Sequence, residues 1–525
     1  MDFQVLATRG DGGYRQYRIP ALGVTPTGRV IAIYDARVDL DDLPGPVDLV
    51  IRTSDDNGDN WSPQKVFLAS HEVSGYGDAS IIIDPTVGDK GRIIVFCQAS
   101  NLASFFESSL GTDINDPTIV HISLSISDDD GETWRHQIVT HQVKDGKTQG
   151  IFASSGMGGR IPTGPHEGRL IHSFVLRRDA QLLGVLAYSD DHGVTWQLGA
   201  EIPGGNESGV ACLRDGSILF HSRSTPYRLS GTSHDGGITL SSLEPHKQLP
   251  DPSDNGSLCV LKNGYVICTH NHDHDLRRRT VAKLSTDGGK TWPKAIVLEA
   301  ESSAYSTACE LPNGQVGVLF ERFGYTEMVF SRFTVDEMRA TSEVLPLEVD
   351  ANQIDFQVAF RYVRPGRDKS KLQALSGSVK RHIPKVDMSV FRASERKEIG
   401  PNTGSASGDP IFTKAEFDQI LGPVSPGLHV GDELRFSGRL QNLHTETIYD
   451  IAITHPCEEE EVKESKLVSG QKIRFMDLRY IVTEKDLENG FVSLTFQWSA
   501  TNPANGQLSG AIEHKISTKT GLPVS

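Results

Sequence analysis

The chain has 525 residues, with 52 Lys and Arg against 68 Asp and Glu and a formal net charge of -16. That length exceeds one small core and suits two or three domains; the negative balance argues against nucleic acid or an anionic membrane as partner, because both require a basic face. No apolar run approaches the roughly 20 residues that cross a bilayer, and Met1-Asp-Phe-Gln-Val-Leu6 carries no signal-peptide pattern, so no export or anchoring signal is visible and the location stays open.

In chain order, Tyr17-Arg-Ile-Pro20 comes first and, taken alone, reads as a lone surface charge. A loop crowded with carboxylates follows the first strand pair, Tyr34-Asp-Ala-Arg-Val-Asp-Leu-Asp-Asp-Leu-Pro-Gly-Pro46. Next, Ser54-Asp-Asp-Asn-Gly-Asp-Asn-Trp61 opens a series of five related phrases of pattern S-x-D-x-G-x-x-W. The others begin at Ser127, Ser189, Ser233 and Ser285, and Leu240 replaces Trp once. Each reads as a turn between antiparallel strands: Ser and Asp bond nearby amides, Gly takes positive φ, and Trp folds back as an apolar plug. A calcium loop is the competing reading, but its spaced oxygen ligands and closing bidentate carboxylate are missing.

Repetition at intervals of roughly 45 to 75 residues points to a radially repeated all-β architecture of four-stranded sheets. The flanks agree, since Asp48-Leu-Val-Ile-Arg-Thr53 and Ile122-Ser-Leu-Ser-Ile126 are strand-like. His270-Asn-His-Asp-His274 would put three imidazoles on one face of an extended segment; we read it as a polar rim and expect no metal. The six cysteines are scattered, without zinc spacing, and read as mostly buried thiols.

The phrases occupy residues 1–342, beyond which the texture changes. Residues 343–383 read as a connecting segment, because Arg364-Pro-Gly-Arg-Asp-Lys-Ser-Lys-Leu372 and, further on, Gly400-Pro-Asn-Thr-Gly-Ser-Ala-Ser-Gly-Asp-Pro410 are linker-like or long loops. Strand-like segments at Glu433–Leu440, Thr447–Thr454 and Phe491–Trp498 predict an immunoglobulin-like β-sandwich over residues 384–525. The acidic run from Glu458 to Glu464 reads as a solvated loop.

Tyr17-Arg-Ile-Pro20 ahead of several such phrases, or Asp boxes, closely resembles the bacterial-type sialidase (exo-alpha-sialidase, neuraminidase) family, in which an F/Y-R-I-P motif precedes Asp boxes on a six-bladed β-propeller. The resemblance implies hydrolysis, with retention, of terminal alpha-linked sialic acids from glycoproteins or glycolipids, by an enzyme expected to be a monomer without cofactor or metal. A sialic acid carries a carboxylate at its anomeric carbon, which three always-protonated, fork-shaped guanidiniums suit better than lysines. The resemblance assigns them to Arg18, to Arg223 after Ile218-Leu-Phe-His-Ser222, and to Arg277, with Arg279 next, in Arg277-Arg-Arg279.

By the same likeness Tyr305 is the nucleophile, Glu207 its base and Asp42 the acid/base, with Asp41 as the fallback. A neutral phenol avoids the repulsion that an attacking carboxylate would meet beside the substrate's own. Arg37 and Asp78 match sugar-contacting positions, although Ala79 stands where the family tends to show proline. Glu321 matches a carboxylate that orients the first arginine. The competing expectations are a trans-sialidase, including an intramolecular one, on the same constellation, and a non-catalytic glycan-binding propeller.

Overall fold

A computed structural model describes residues 3–38, 42–70, 75–179, 181–345, 354–364, 382–386, 396–401, 418, 424, 426–457 and 461–524, with 361–364, 382–386 and 396–401 described as strands only. Among them the chain is all-β. Successive stretches form sheets built on four antiparallel strands, beginning with Gln16–Val24, Val30–Arg37, Val47–Ser54 and Lys65–Leu68; two later sheets add a short fifth strand, one of them, Gly156–Met157, parallel to its neighbour.

The next sheets are built on Gly75–Asp84 to Arg135–Ile138, on Gly150–Ala153 to Gln197–Pro203, and on Ser208–Cys212 to Glu244–Pro250. A strand of 17 residues, Lys294–Glu310, joins the last two sets into one sheet. Its first half pairs with Arg278–Ser285 and its second with Val316–Arg322. The N-terminal strand Phe3–Thr8 pairs with Glu327–Phe333, so the beginning of the chain completes its last sheet.

The Asp boxes are turns, as their chemistry predicts. In each, the buried Ser hydroxyl accepts the Gly N–H four residues on, as at Gly58, Gly131, Gly193, Gly237 and Gly289 (2.8–3.0 Å). The Asp then accepts the amide four residues further, as at Thr133 and Thr291. Positive φ makes Gly the natural residue there, and close packing adds a second reason: a Cβ on Gly289 would stand 2.4 Å from the Leu219 side chain. The plugs differ in depth. Trp292 is fully buried and Trp196 nearly so, whereas Trp134 is half-buried.

Two further sheets make a C-terminal unit. Ile354–Arg364, Glu433–Asn442 and Lys472–Ile481 form one, and Val462–Leu467, Ile448–Thr454, Phe491–Thr501 and Gln507–Ser517 the other. They share one core, including Phe356, Phe360, Phe436, Ile453 and Phe496.

Two expectations are corrected here. The segment expected as a connector contains the strand Ile354–Arg364, because Phe356, Val358 and Phe360 alternate into that core. The acidic run expected as a loop ends in an edge strand, Val462–Leu467, whose exposed charges leave the sheet edge unattractive to other strands; Glu458 to Glu460, like most of the two linker-like stretches, lie outside the described residues. All six cysteines are free, five of them buried.

Trp292→Ala should cost about 3–5 kcal/mol of stability by emptying a fully buried site. Trp134→Ala should cost less, and urea midpoints measure both; equal losses would contradict the difference in plug depth.

Candidate active site

A cavity of about 420 Å³ opens where several sheets present their inner edges. Arg18, Arg37, Asp42, Asp78, Glu207, Arg223, Arg277 and Tyr305 all line it, although they are scattered over nearly 300 residues of chain.

Three β-bulges of one kind turn side chains into it. The pairing of Gln16–Val24 with its neighbour jumps between Arg18 and Ala21, so Ile19 and Pro20 together oppose one residue. Pro20 has no N–H to lose from the ladder. Ile19, at φ 56, occupies a conformation costly for a β-branched residue, and its N–H donates to Glu321 Oε1 at 2.7 Å. The same two-against-one jump occurs at Asp78-Ala79, where Asp78 has φ 60, and at Ala304-Tyr305, which oppose Glu321. Ala79 is fully buried within its bulge, so the missing proline does not prevent the turn.

Register places the next pair. Ser208 pairs with Ser222 across a hairpin, which sets Glu207 beside Arg223 just beyond the ladder, and the Arg223 N–H donates to the Glu207 carbonyl. The Tyr305 hydroxyl donates to Glu207 Oε1 at 2.9 Å and accepts from Arg223 Nη1 at 2.5 Å. Burial, the largest influence, pushes the phenol well above its usual range; the Arg223 charge opposes this, and Glu207 adds to it. The phenol therefore stays protonated at rest, with its proton aimed at Glu207. Glu207 Oε2 is buried and has no partner among the described residues.

Around this tyrosine stand the other arginines. The Arg18 and Arg277 guanidinium carbons lie 5.2 and 5.4 Å from the Tyr305 ring centre. Arg18 is held by Glu321, through Nε to Oε1 at 3.2 Å, and lies over the Tyr325 ring at 4.2 Å. Arg277 donates to the Tyr325 hydroxyl at 2.9 Å and pairs with Asp254 at 3.4 Å.

On the other flank, Arg37 pairs with Asp35 and with Asp42, both at 2.7 Å. Asp42 stands on the rim with its side chain 79% exposed. Crowding against protein raises its pKa, but the Arg37 and Arg18 charges and the Arg37 hydrogen bond outweigh this and hold it below the usual range. Asp78 is pushed well up, by burial first and by the Asp35 and Glu207 charges next, so its neutral form is favoured. An apolar wall of Phe105, Phe152, Val175 and Leu182 completes the cavity, with Phe106 exposed at its edge.

All the expected site residues thus gather at one cavity or, for Glu321, directly behind it. Arg277 lines it and Arg279 does not, while Asp41 lies outside the described residues. The histidine cluster is corrected: the strand ends at Asn271, the His270 and His272 rings lie together at 5.7 Å, His274 packs instead on Tyr227 at 5.0 Å, and His270 is fully buried rather than on a rim. Sequence reasoning missed Tyr325, Asp254, Asp35 and the apolar wall. Asp35 was findable, two residues before Arg37 on one strand face; Asp254 resembled an ordinary turn residue in Asp251-Pro-Ser-Asp254.

Residues 45–318 match a family model described as a BNR repeat-like domain. A sialidase of Micromonospora viridifaciens is 34% identical over 336 residues, 61% of this chain and 52% of its own length, so the chain spans about half of that relative. A solved Hadza microbial sialidase is similar with a TM-score of 0.58 and 25% identity, over 64% of this chain and 69% of that one. An intramolecular trans-sialidase from Ruminococcus gnavus has a TM-score of 0.55 at 18% identity, over 63% of this chain and 97% of its own, a likeness of fold.

Burial, against the pull of Arg277, raises Asp254 to about 7. Its folded pKa lies above the ordinary value, so its contribution to stability is complete below about pH 4 and fades as pH rises through about 7. The melting temperature of Asp254→Asn minus that of the wild type should therefore increase from pH 5 to pH 8; a difference independent of pH would contradict the shift.

Proposed function

We propose that the chain, which belongs to the family of BNR repeat-like domains and is similar to bacterial sialidases, is a retaining exo-alpha-sialidase, acting on terminal alpha-linked sialic acids of glycoproteins or glycolipids. The observation that carries this reading is the convergence of Arg18, Arg223 and Arg277 around Tyr305, whose hydroxyl donates to Glu207. Such a set binds one carboxylate and presents a phenol beside it. A tyrosine nucleophile is the known departure of sialidases from the two-carboxylate pattern of glycosidases.

In this mechanism the three arginines grip the substrate carboxylate, while Arg37 and Asp78 contact the sugar. Tyr305 Oη attacks the anomeric carbon as its proton passes to Glu207, and the glycosidic bond breaks as Asp42 gives its proton to the leaving oxygen. Asp42 then takes a proton from water, whose oxygen attacks the anomeric carbon. The Tyr305–carbon bond breaks, and the phenol recovers its proton from Glu207. Asp42 is depressed by Arg37 and Arg18 in the free protein; a bound carboxylate neutralises part of that field and raises Asp42 toward a general acid's range.

The sheets of residues 3–340 support a six-bladed reading, with Lys294–Glu310 shared by two blades and Phe3–Thr8 closing the ring. The C-terminal unit is read as an immunoglobulin-like sandwich that begins at Ile354 rather than at residue 384. The same constellation would also serve transfer to an acceptor or to the sugar's own hydroxyl.

Tyr305→Phe should lower turnover of a fluorogenic sialoside by more than about a hundredfold while a sialic acid analogue still binds. Full turnover would exclude the nucleophile. NMR of the first product separates the retained anomer from an anhydro sugar. The alkaline limb of kcat should lie at higher pH than that of kcat/KM, since the bound carboxylate raises Asp42, and the two limbs coinciding would remove this account of the acid.

A further inference from the structure

The loop 272–277, which ends in Arg277, meets the C-terminal unit through a cluster of charges; elsewhere the two parts share a buried ion pair, Arg9 with Asp432. Its Asp273 caps the loop from within, accepting from the N–H groups of Asp275 (2.9 Å) and Leu276 (3.1 Å) through Oδ1. The same oxygen takes Nη1 of Arg439, whose Nη2 pairs with Asp355 at 3.0 Å.

Asp275, only 2% exposed at its side chain, meets three cations: Lys472 at 2.5 Å, Arg474 at 3.1 Å and Arg439 at 3.4 Å. Three carboxylates and three cations therefore balance at a mostly buried interface. Across the loop's other side, the Thr225 hydroxyl donates to the His274 carbonyl at 2.7 Å, and His274 Nδ1 contacts the Pro226 carbonyl at 2.8 Å. That turn follows Arg223 directly. Beyond Arg277, Arg278 bonds to Gln357 and Ser302 to the Phe360 carbonyl, both partners belonging to the C-terminal unit.

Arg277 is thus bracketed by contacts to the C-terminal unit, and the same loop is tied to the turn after Arg223. Arg439, Lys472 and Arg474 touch neither the cavity nor its lining. We infer that the C-terminal unit serves as an ionic brace, with Arg439, Lys472 and Arg474 acting through Asp273 and Asp275 to hold Arg277 in place for the substrate carboxylate. These are positioning residues rather than catalytic ones, and their role rests on the carboxylate-binding reading above. Buried charges make the brace stiff: removing one partner leaves the other uncompensated, so the loop must move to reach water. A guanidinium displaced by about 1 Å binds much more weakly.

The test uses the full chain carrying Arg439→Met, and separately Lys472→Met with Arg474→Met, whose side chains are partly exposed and whose loss leaves the core intact. KM for a fluorogenic sialoside should rise about tenfold with kcat within about twofold, because carboxylate binding is lost without touching Tyr305, Glu207 or Asp42. Amide exchange at Asp275 and Leu276 should accelerate in parallel, and Arg439→Lys should recover part of the KM. Folded variants with wild-type KM would overturn the brace even if exchange increased, since that result marks a merely structural contact. A wild type that neither binds nor turns over a sialoside would instead overturn the functional reading.

Discussion

One fully buried carboxylate ties the site together. Glu321 accepts from the Arg18 guanidinium, from the Ile19 N–H and from the Tyr305 N–H, and so joins the bulge near the start of the chain to the bulge near residue 305. Both bulges depend on it, because each frees an N–H that needs a buried acceptor. Around it pack Ile19, Ala304, Tyr305 and Tyr325, which exclude water and strengthen these charge-assisted bonds. The first arginine and the proposed nucleophile therefore take their relative positions from a residue that touches neither substrate nor cavity.

The electrostatics follow from the same arrangement. A chain of net charge -16 nevertheless presents four guanidiniums to one cavity. Each is held by a carboxylate: Glu321 for Arg18, Asp35 and Asp42 for Arg37, Glu207 for Arg223, Asp254 for Arg277. Burial shifts the titration of several of those acids, with Asp35 raised to about 6 and Asp254 to about 7. The consequence is a pocket whose cations are held in fixed positions by carboxylate partners, so that little reorganisation is needed when an anionic ligand enters.

How much of this was legible in the sequence follows from what each signal encodes. Asp boxes are local, since the bonds that shape the turn, Gly58 N–H to Ser54 and Asn60 N–H to Asp56, span four residues each, so the turns could be read directly. The charged site residues were reached through motif resemblance, because no local pattern brings Arg18 to Tyr305. Bulges were hidden, since one extra residue breaks the period-two alternation that reveals strands. The strand Ile354–Arg364 is obscured in the sequence by the Pro-Gly stretch at its end, although Phe356, Val358 and Phe360 alternate into the core. Asp254 and Tyr325 acquire meaning only beside Arg277, which no spacing announces.

The two ends of the catalytic part are secured by different physics, and the difference bears on which side of the cavity is rigid. Near Arg18 the restraint comes mainly from backbone bulges, a buried carboxylate and the closing pair of Phe3–Thr8 with Glu327–Phe333, to which the C-terminal unit adds one buried ion pair, Arg9 with Asp432 at 3.2 Å. Near Arg277 the loop has its own Asp273 cap but borrows its counter-charges from residues more than 150 positions away. Backbone hydrogen bonds in a ladder are lost only with the sheet, whereas an ion-pair cluster at an interface weakens with salt or with separation of the two parts. The sheets that carry the arginines thus hold most of the Arg18 side, with Arg9 and Asp432 as one tie across, whereas on the Arg277 side the C-terminal sheets supply a whole cluster of counter-charges. On the proposed brace the two parts are one working structure, tied most heavily by charge at the loop that carries Arg277.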